Sequence, residues 1–274
     1  MESLKQKFYV VLMGGVLIFT FTLQSGTGMA ATAQEKAELK KTLRELLRDE
    51  PELVFELLRD NSELVLDIAQ QGADIRQRRA HAARWAVELN EQKTVRLQGR
   101  PSKGPANAPV TIVAFTDFTC LYCQQAEETV NRLVLAYNGK VQVVYKSLPM
   151  QGNPGSVESA EFMLSAYMQD KGKAWALFDD FFANRMKIIA KDGDAYLRSV
   201  AIDHGLNMQK LIADAKSQKV KNMILEDAED AKTLQAKGTP FFLVNNLTIN
   251  GSLQEGHFRL AVDMALAGAE KNVE

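Results

Sequence analysis

The chain has 274 residues, 46% of them apolar. That is enough for one large domain or two modest ones with a real core, so its two cysteines need not staple a small fold together. A formal net charge of -1 leaves no cationic excess for gripping a phosphate backbone, and no nucleic-acid motif is present, so nucleic acid is not an expected partner.

Lys5 and Lys7 precede an apolar run from Phe8 to Leu23, and small residues follow, with GMA and ATA as candidate cleavage sites. This is the pattern of a secretory signal peptide over residues 1–33. An uncleaved signal anchor is the alternative, because the run falls little short of the ~20 residues that span a bilayer; Gly14, Gly15 and the small-residue exit favour cleavage. The segment holds no cysteine for lipoprotein processing. Export would place the thiols where disulfides form and persist.

From Ala33 to Asn90 the chain is rich in Leu, Glu, Arg and Ala, with Gly72 its single glycine, and apolar residues recur at three- and four-residue steps, as at Leu39, Leu43, Leu46 and Leu47. A short repeat lies inside it: LLRDEPELVFE (Leu46–Glu56) is followed at once by LLRDNSELVLD (Leu57–Asp67). Pro51 suits a first helical position and Asn61 an N-cap, which predicts two short helices leading into a longer one over Ser62–Glu91. Such an arm (residues 34–99) leaves Leu53, Val54, Leu57, Leu64, Val65 and Ile68 partly wet unless it finds a partner. It either folds back on its own globular domain or pairs with copies of itself in an oligomer, the second being the sharper expectation. The RQRR run, Arg76–Arg79, reads as a solvated helical face or a row of inter-subunit salt bridges.

GRPSKGPANAP, Gly99–Pro109, holds three of the seven prolines and denies both helix and sheet continuation, so residues 100–109 read as a linker. Beyond it VTIVAFTD (Val110–Asp117) reads as a buried strand, Cys120–Tyr137 as a helix, and KVQVVYKSL (Lys140–Leu148) as a second strand after a tight Asn138-Gly139 turn. Residues 155–235 read as helical, with Phe162, Trp175, Phe178, Phe181 and Phe182 as core bulk. PFFLVNN and LTINGS then form a hairpin, and Gln254–Ala269 a closing amphipathic helix. The expected catalytic domain, residues 110–274, is thus β-α-β, a helical insertion, then β-β-α. Trp85 and Trp175 read as packing residues, and His257 as a partly exposed surface histidine.

Both cysteines fall in FTDFTCLYC, where strand gives way to helix. Unsatisfied amide hydrogens and the positive end of the helix dipole there favour a thiolate on Cys120, and Cys123, one turn on, can reach back to it. An exposed Cys120 can attack a disulfide and Cys123 can release the mixed intermediate. A closed zinc site needs four ligands, and His81, His204 and His257 are scattered singly. Two thiolates also suit Cu(I), which keeps a copper-tolerance protein with metal at Cys120 and Cys123 as a reading from another class. The ten methionines form no tight cluster that would support it.

FTDFTCLYC followed far downstream by GTPFF resembles the thioredoxin-fold family of periplasmic disulfide oxidoreductases, the Dsb proteins, over Asn107–Lys271. The resemblance implies an α/β thioredoxin fold with a DsbA-like helical insertion, a periplasmic location, a redox-active disulfide as the only reactive group, client protein disulfides as substrates, and a membrane thiol reductase or oxidase as electron partner. It also implies that Pro240 is a cis-proline against the cysteines and that Thr239 lines the substrate groove through its backbone. The stretches YKSLPMQGNPGSVESAEFMLSAY and GKAWALFDDFF are similar to the DsbA-like insertion, and the preceding arm is similar to that of the suppressor-of-copper-sensitivity C proteins and related isomerases that oligomerise through N-terminal helices.

Strongly oxidising members carry Pro-His between the cysteines; here Leu121-Tyr122 stand there. The expected Cys120 pKa therefore lies below the ~8.5 of a free thiol and above the ~3.5 of DsbA, giving a less oxidising couple. Tyr122 before the second cysteine and Thr239 before the proline both resemble disulfide isomerases, with a DsbA-like oxidase as the alternative. Ala114 stands where DsbA-like proteins often carry a buried glutamate. Asp117 is the nearest acid upstream, either paired with Lys146 on the next strand or in a surface capping role.

Overall fold

The computed structural model describes residues 32–271. The apolar run expected as a signal peptide lies outside them. Among the described residues no helix is long and apolar enough to cross a membrane. The chain divides into two units at Ile68/Ala69.

In the first unit, α1 (Ala33–Asp49) opens on a capping box: Glu35 N donates to Thr32 Oγ1 at 3.3 Å while Thr32 N donates to Glu35 Oε2 at 2.7 Å. Pro51 lacks the amide hydrogen that would continue the helix, and α2 (Glu52–Asp60) begins behind it. Next comes α3, Ser62–Glu88, which runs on into the second unit. Asn61 stands immediately before α3 and its carbonyl accepts from Val65 N at 3.0 Å, the N-cap position expected, while its Nδ2 donates back to the Leu57 carbonyl at 2.8 Å and so also closes α2. Neither α1 nor α2 buries any residue. Leu39, Leu43, Leu46, Leu47, Phe55, Leu57 and Leu58 are between 39% and 69% exposed, while Leu53 and Val54 are half-buried.

The second unit holds a sheet whose strands, in chain order, are β1 (Ser102–Lys103), β2 (Val110–Thr116), β3 (Val141–Ser147), β4 (Phe241–Val244) and β5 (Leu247–Asn250), arranged 1-3-2-4-5. α4 (Leu121–Ala136) joins the parallel pair β2 and β3, with Asn138 and Gly139 both at positive φ in the turn that follows it. β4 runs antiparallel to β2 and makes the expected hairpin with β5. Between β3 and β4 the insertion supplies α5 (Ser156–Gln169), α6 (Lys171–Ala183), α7 (Arg185–Ile188), α8 (Gly193–Asp203), α9 (Met208–Ala215) and α10 (Gln218–Thr233); α11 (Glu255–Lys271) closes the chain. This is the thioredoxin fold with a helical insertion.

Alternate residues of a strand face opposite sides of a sheet, and both sides here are covered. Ile112, Ala114, Val143, Tyr145 and Phe242 join the larger core with residues of α4, α6 and α11; Val113, Phe115, Phe241 and Leu243 meet Ala231 of α10 and Val95 on the other side.

The segment expected as a linker is part of this unit. Ser102 and Lys103 pair antiparallel with Val144 and Val143 at the sheet edge. Arg100, only 6% exposed, donates through Nε to Asp227 at 3.0 Å and through Nη2 to Glu226 at 2.8 Å; Arg96 binds Asp230. Lys103 Nζ lies 4.6 and 4.8 Å from the ring centroids of Trp175 and Phe178. Upstream, Trp85 on α3 is fully buried and donates to the Thr248 carbonyl at 2.9 Å. Arginines and a lysine that composition alone assigns to solvent are thus used as internal fasteners, and the catalytic unit begins well before residue 110.

Candidate active site

β2 delivers the chain to the site and Asp117 turns it. Asp117 Oδ1 accepts from Thr119 N at 2.8 Å and Thr119 Oγ1 at 2.9 Å; Oδ2 accepts from Met150 N at 3.0 Å and Ser156 Oγ at 2.8 Å. One buried carboxylate therefore ties the loop before Cys120 to the loop after β3 and to the start of α5. It is a buried tie between loops rather than the surface cap expected, since Asp117 is 3% exposed and the N-cap of α4 is Cys120. The alternative pairing with Lys146 is not what forms: Lys146, fully buried, directs its ammonium to Asp227 at 2.8 Å and to Asp230, both on α10. Lys146 lies opposite Phe115 in the register, on the side of the sheet that α10 covers, and the Asp117 oxygens are already filled.

Cys120 is the N-cap of α4, in extended conformation, and its carbonyl accepts the first helical bond from Gln124 N. The helix entrance thus falls one residue later than a cysteine at the first helical position would have it. Cys120 is half-buried and Cys123 is 2% exposed; both are free thiols. The Thr239–Pro240 peptide is cis, and the Cys120 thiol donates to the Thr239 carbonyl at 3.5 Å. Thr239 Oγ1 is buried with no hydrogen-bond partner among the described residues.

The two sulfurs are driven apart in acidity. A hydrogen bond from the Cys123 thiol holds Cys120 down at about 6, helped by the backbone amides of Cys123 and Tyr122 at the open helix end and opposed by partial burial. That value lies inside the interval expected from the missing Pro-His. Burial pushes the Cys123 thiol well up, and a charge on Cys120 pushes it further. At neutral pH the outer sulfur is therefore a thiolate and the inner one a thiol, which is the order an attack followed by resolution requires.

Leu121 and Tyr122, between the cysteines, are 45% and 61% exposed and stand with Met150 and Met186 as apolar side chains open to solvent. The insertion grips the site from the side. Phe118 packs against Phe178, Phe181 and Phe182 at ring separations of 5.3, 5.2 and 4.8 Å; Gln124 Nε2 donates to the Phe182 carbonyl at 2.7 Å; Arg185 Nη1 donates to the Thr119 carbonyl at 3.1 Å. Neither Arg185 nor Met150 carries a local sequence signal. A buried acid is also present, though not at position 114: Glu127, one turn beyond Cys123, accepts from Tyr145 Oη at 2.8 Å, and burial raises it to about 7.

Two remote expectations resolve differently. Trp85 packs as expected, but His257 is 1% exposed, with Nε2 2.9 Å from Asp74 Oδ1 and its ring 5.2 Å from that of His81, so it is a core histidine rather than a surface one. Among the described residues no cluster of three or more His, Cys, Asp or Glu is arranged to hold a metal ion.

A strand-to-helix CxxC after β2, beside a cis-proline that enters the neighbouring strand β4 of a five-stranded mixed sheet, defines a thioredoxin-type site. The family model described as thioredoxin matches residues 96–264, and the chain belongs to that family. The match begins at Arg96, where the fastened segment begins. A thioredoxin-like oxidoreductase from Silicibacter pomeroyi is 28% identical, with a TM-score of 0.55 over 65% of this chain and 94% of that one. The catalytic domain of Proteus mirabilis ScsC, 21% identical, shares the fold with a TM-score of 0.54 over 69% and 98%. Among curated proteins, the "Probable disulfide bond formation protein D" of Bacillus cereus is 29% identical over 54% of this chain and 71% of its own length. The Na(+)/H(+) antiporter NhaA 1 of Salinispora arenicola is 30% identical over 61% of this chain, which spans only 24% of that protein.

Proposed function

We propose that the protein is an exported thiol-disulfide oxidoreductase that acts as a disulfide isomerase or reductase on client proteins in the periplasm. One observation carries this reading: a half-exposed Cys120 held at about 6 beside the cis Thr239–Pro240 peptide, with a protonated Cys123 buried one turn behind it.

The Cys120 thiolate attacks one sulfur of a client disulfide; that S–S bond breaks, a mixed disulfide forms, and the other client sulfur leaves as a thiolate and takes up a proton. In isomerisation a client thiolate then attacks the bonded client sulfur, forms a new client disulfide and returns Cys120. In reduction Cys123 loses its proton and attacks Cys120, which releases the reduced client and leaves a Cys120–Cys123 disulfide. A membrane thiol reductase is the electron partner that restores the dithiol.

Leu121-Tyr122 between the cysteines and Thr239 before the proline support isomerase over oxidase. The similarity to a protein named for disulfide bond formation keeps the oxidase as second reading. Purified protein is expected to reactivate scrambled ribonuclease and Cys120→Ser is not; equal inactivity of the two removes the proposal. In cells the pair should be found reduced, whereas an oxidase would be found oxidised.

A further inference from the structure

We propose that Arg185 is a specificity-determining residue, whose guanidinium receives a carboxylate that the client carries next to the cysteine attacked by Cys120. This rests on the redox reading of Cys120 and adds to it a preference for acidic client segments.

Arg185 opens α7, in the insertion, yet it is fixed to the active-site loop: its Nη1 donates at 3.1 Å to the carbonyl of Thr119, the residue immediately before Cys120. A guanidinium has five N–H donors in a planar fork. Here one serves Thr119, Nη2 meets only the thioether of Met186 at 3.1 Å, a weak acceptor, and Nε is buried with no partner among the described residues. Nε is enclosed by the chain, so the donor open to an incoming anion is Nη2, whose present acceptor is the weak one and which a carboxylate would bind more strongly.

Arg44, Arg59, Arg76 and Arg79 on the first three helices are likewise without a carboxylate among the described residues, but around the sheet and the insertion Arg185 stands apart. Every other arginine after residue 80 pairs with a carboxylate: Arg84 with Glu88, Arg96 with Asp230, Arg100 with Asp227, Arg132 and Arg259 with Glu255, and Arg198 with Asp194. Among the described residues Arg185 has no such pair, and it is the arginine that touches the loop of the reactive sulfur. A structural arginine would have been given its counter-ion by the fold, as these six were.

What surrounds it fits a peptide rather than a small anion. Leu121, Tyr122, Met150 and Met186 are all exposed, Met186 adjoining Arg185 in the chain and Leu121 adjoining Cys120. An incoming segment would rest apolar side chains on these residues, present its sulfur to Cys120, and find one positive group at the edge. Among the described residues no carboxylate pairs with that group. The attraction is worth little at a fully wet surface but more where a donor is already desolvated, as Nε is.

The test uses the full chain and three synthetic peptides that share one disulfide and differ only in carrying Glu, Gln or Lys next to the attacked cysteine. The rate constant for reduction, kcat/KM, is measured for each at low and at high salt. The wild-type protein is expected to prefer Glu over Lys by about tenfold, or about 1.4 kcal/mol, with the preference shrinking as salt screens it. In Arg185→Gln the Glu-to-Lys ratio should fall to about one, and in Arg185→Glu it should invert, while Arg185→Lys should keep part of it. Using ratios divides out any change that the lost Thr119 contact makes to the common rate, which a purely structural role would alter without touching selectivity.

A wild-type ratio near one, or a ratio that survives in Arg185→Gln, overturns the proposal. Reduction of the Gln peptide with no charge preference sinks the Arg185 assignment alone. Failure of the wild-type protein to reduce any of the three sinks the redox reading and this proposal with it.

Discussion

At the scale of single residues, the chemistry is a contest over one proton at the mouth of α4. Thiol acidity near a helix end is raised by donors aimed at the sulfur and lowered by burial. For Cys120 the donors win; for Cys123 burial wins. Alkylation by iodoacetamide should therefore titrate with a midpoint at about pH 6, fast above it where the thiolate is populated and slow below. The reaction should be confined to Cys120 at pH 7, with peptide mapping as the check and Cys120→Ser as the blank. A midpoint at the ordinary thiol value would mean that the helix entrance gives no assistance. That Cys120 would be the more acidic of the two thiols was legible from FTDFTCLYC because strand end, helix start and spacing are all local; the interval in which it would ionise came from the resemblance, through the missing Pro-His. Arg185 was not legible, because its meaning lies in a carbonyl 66 positions away.

At the scale of elements, α10 and β3 are joined by charge rather than by apolar packing alone. Lys146 is fully buried, as is Asp227, and Asp227 Oδ2 also accepts from Ser147 N at 2.8 Å. Lys146→Met leaves buried Asp227 with Arg100 alone and Asp230 with Arg96 alone, so it should destabilise the unit by less than the ~3–5 kcal/mol of a buried pair broken outright, about 2 kcal/mol. Urea unfolding measures this, and a double variant Lys146→Met with Asp227→Asn should recover part of the loss; a loss under 1 kcal/mol would show that water reaches the pair. Sequence periodicity placed β3 and read residues 155–235 as helical without dividing them, so it could not say which acids would reach Lys146: Asp227 comes to it only when α10 is laid across the sheet. The same reason hid the burial of His257, whose partner Asp74 lies 183 positions away on α3.

At the scale of the whole molecule, the open question is what covers the arm. The leucines of α1 and α2 keep a helical period, and among the described residues neither helix holds a fully buried side chain. Apolar stripes of that kind are normally closed by another copy of the same helix. The prediction is an oligomer of the full-length protein by multi-angle light scattering, with a variant that begins at Ala69 running as a monomer and keeping its fold. Monomeric full-length protein would end the idea. The boundary matters: a cut at Gly99, the position that composition suggests, would remove Trp85 and Arg96 along with the arm and damage the catalytic unit. Glycine and proline marked an apparent gap in the chain there, but they say nothing about the arginines and tryptophan flanking it, and those flanking residues decide where the unit starts.

Phe118, Gln124 and Arg185 bind the loop of the reactive sulfur to the insertion by ring packing and two hydrogen bonds, and Asp117 locks its other side to Ser156. The catalyst is in that sense a stiff jaw. Little of it can yield to an approaching protein, so the accommodation falls to the visitor: a disulfide set in a rigid, finished domain cannot be brought to the sulfur, whereas one on a slack or unravelled stretch can. A catalyst that never bends would thereby sort its clientele by pliability, leaving correctly folded neighbours alone.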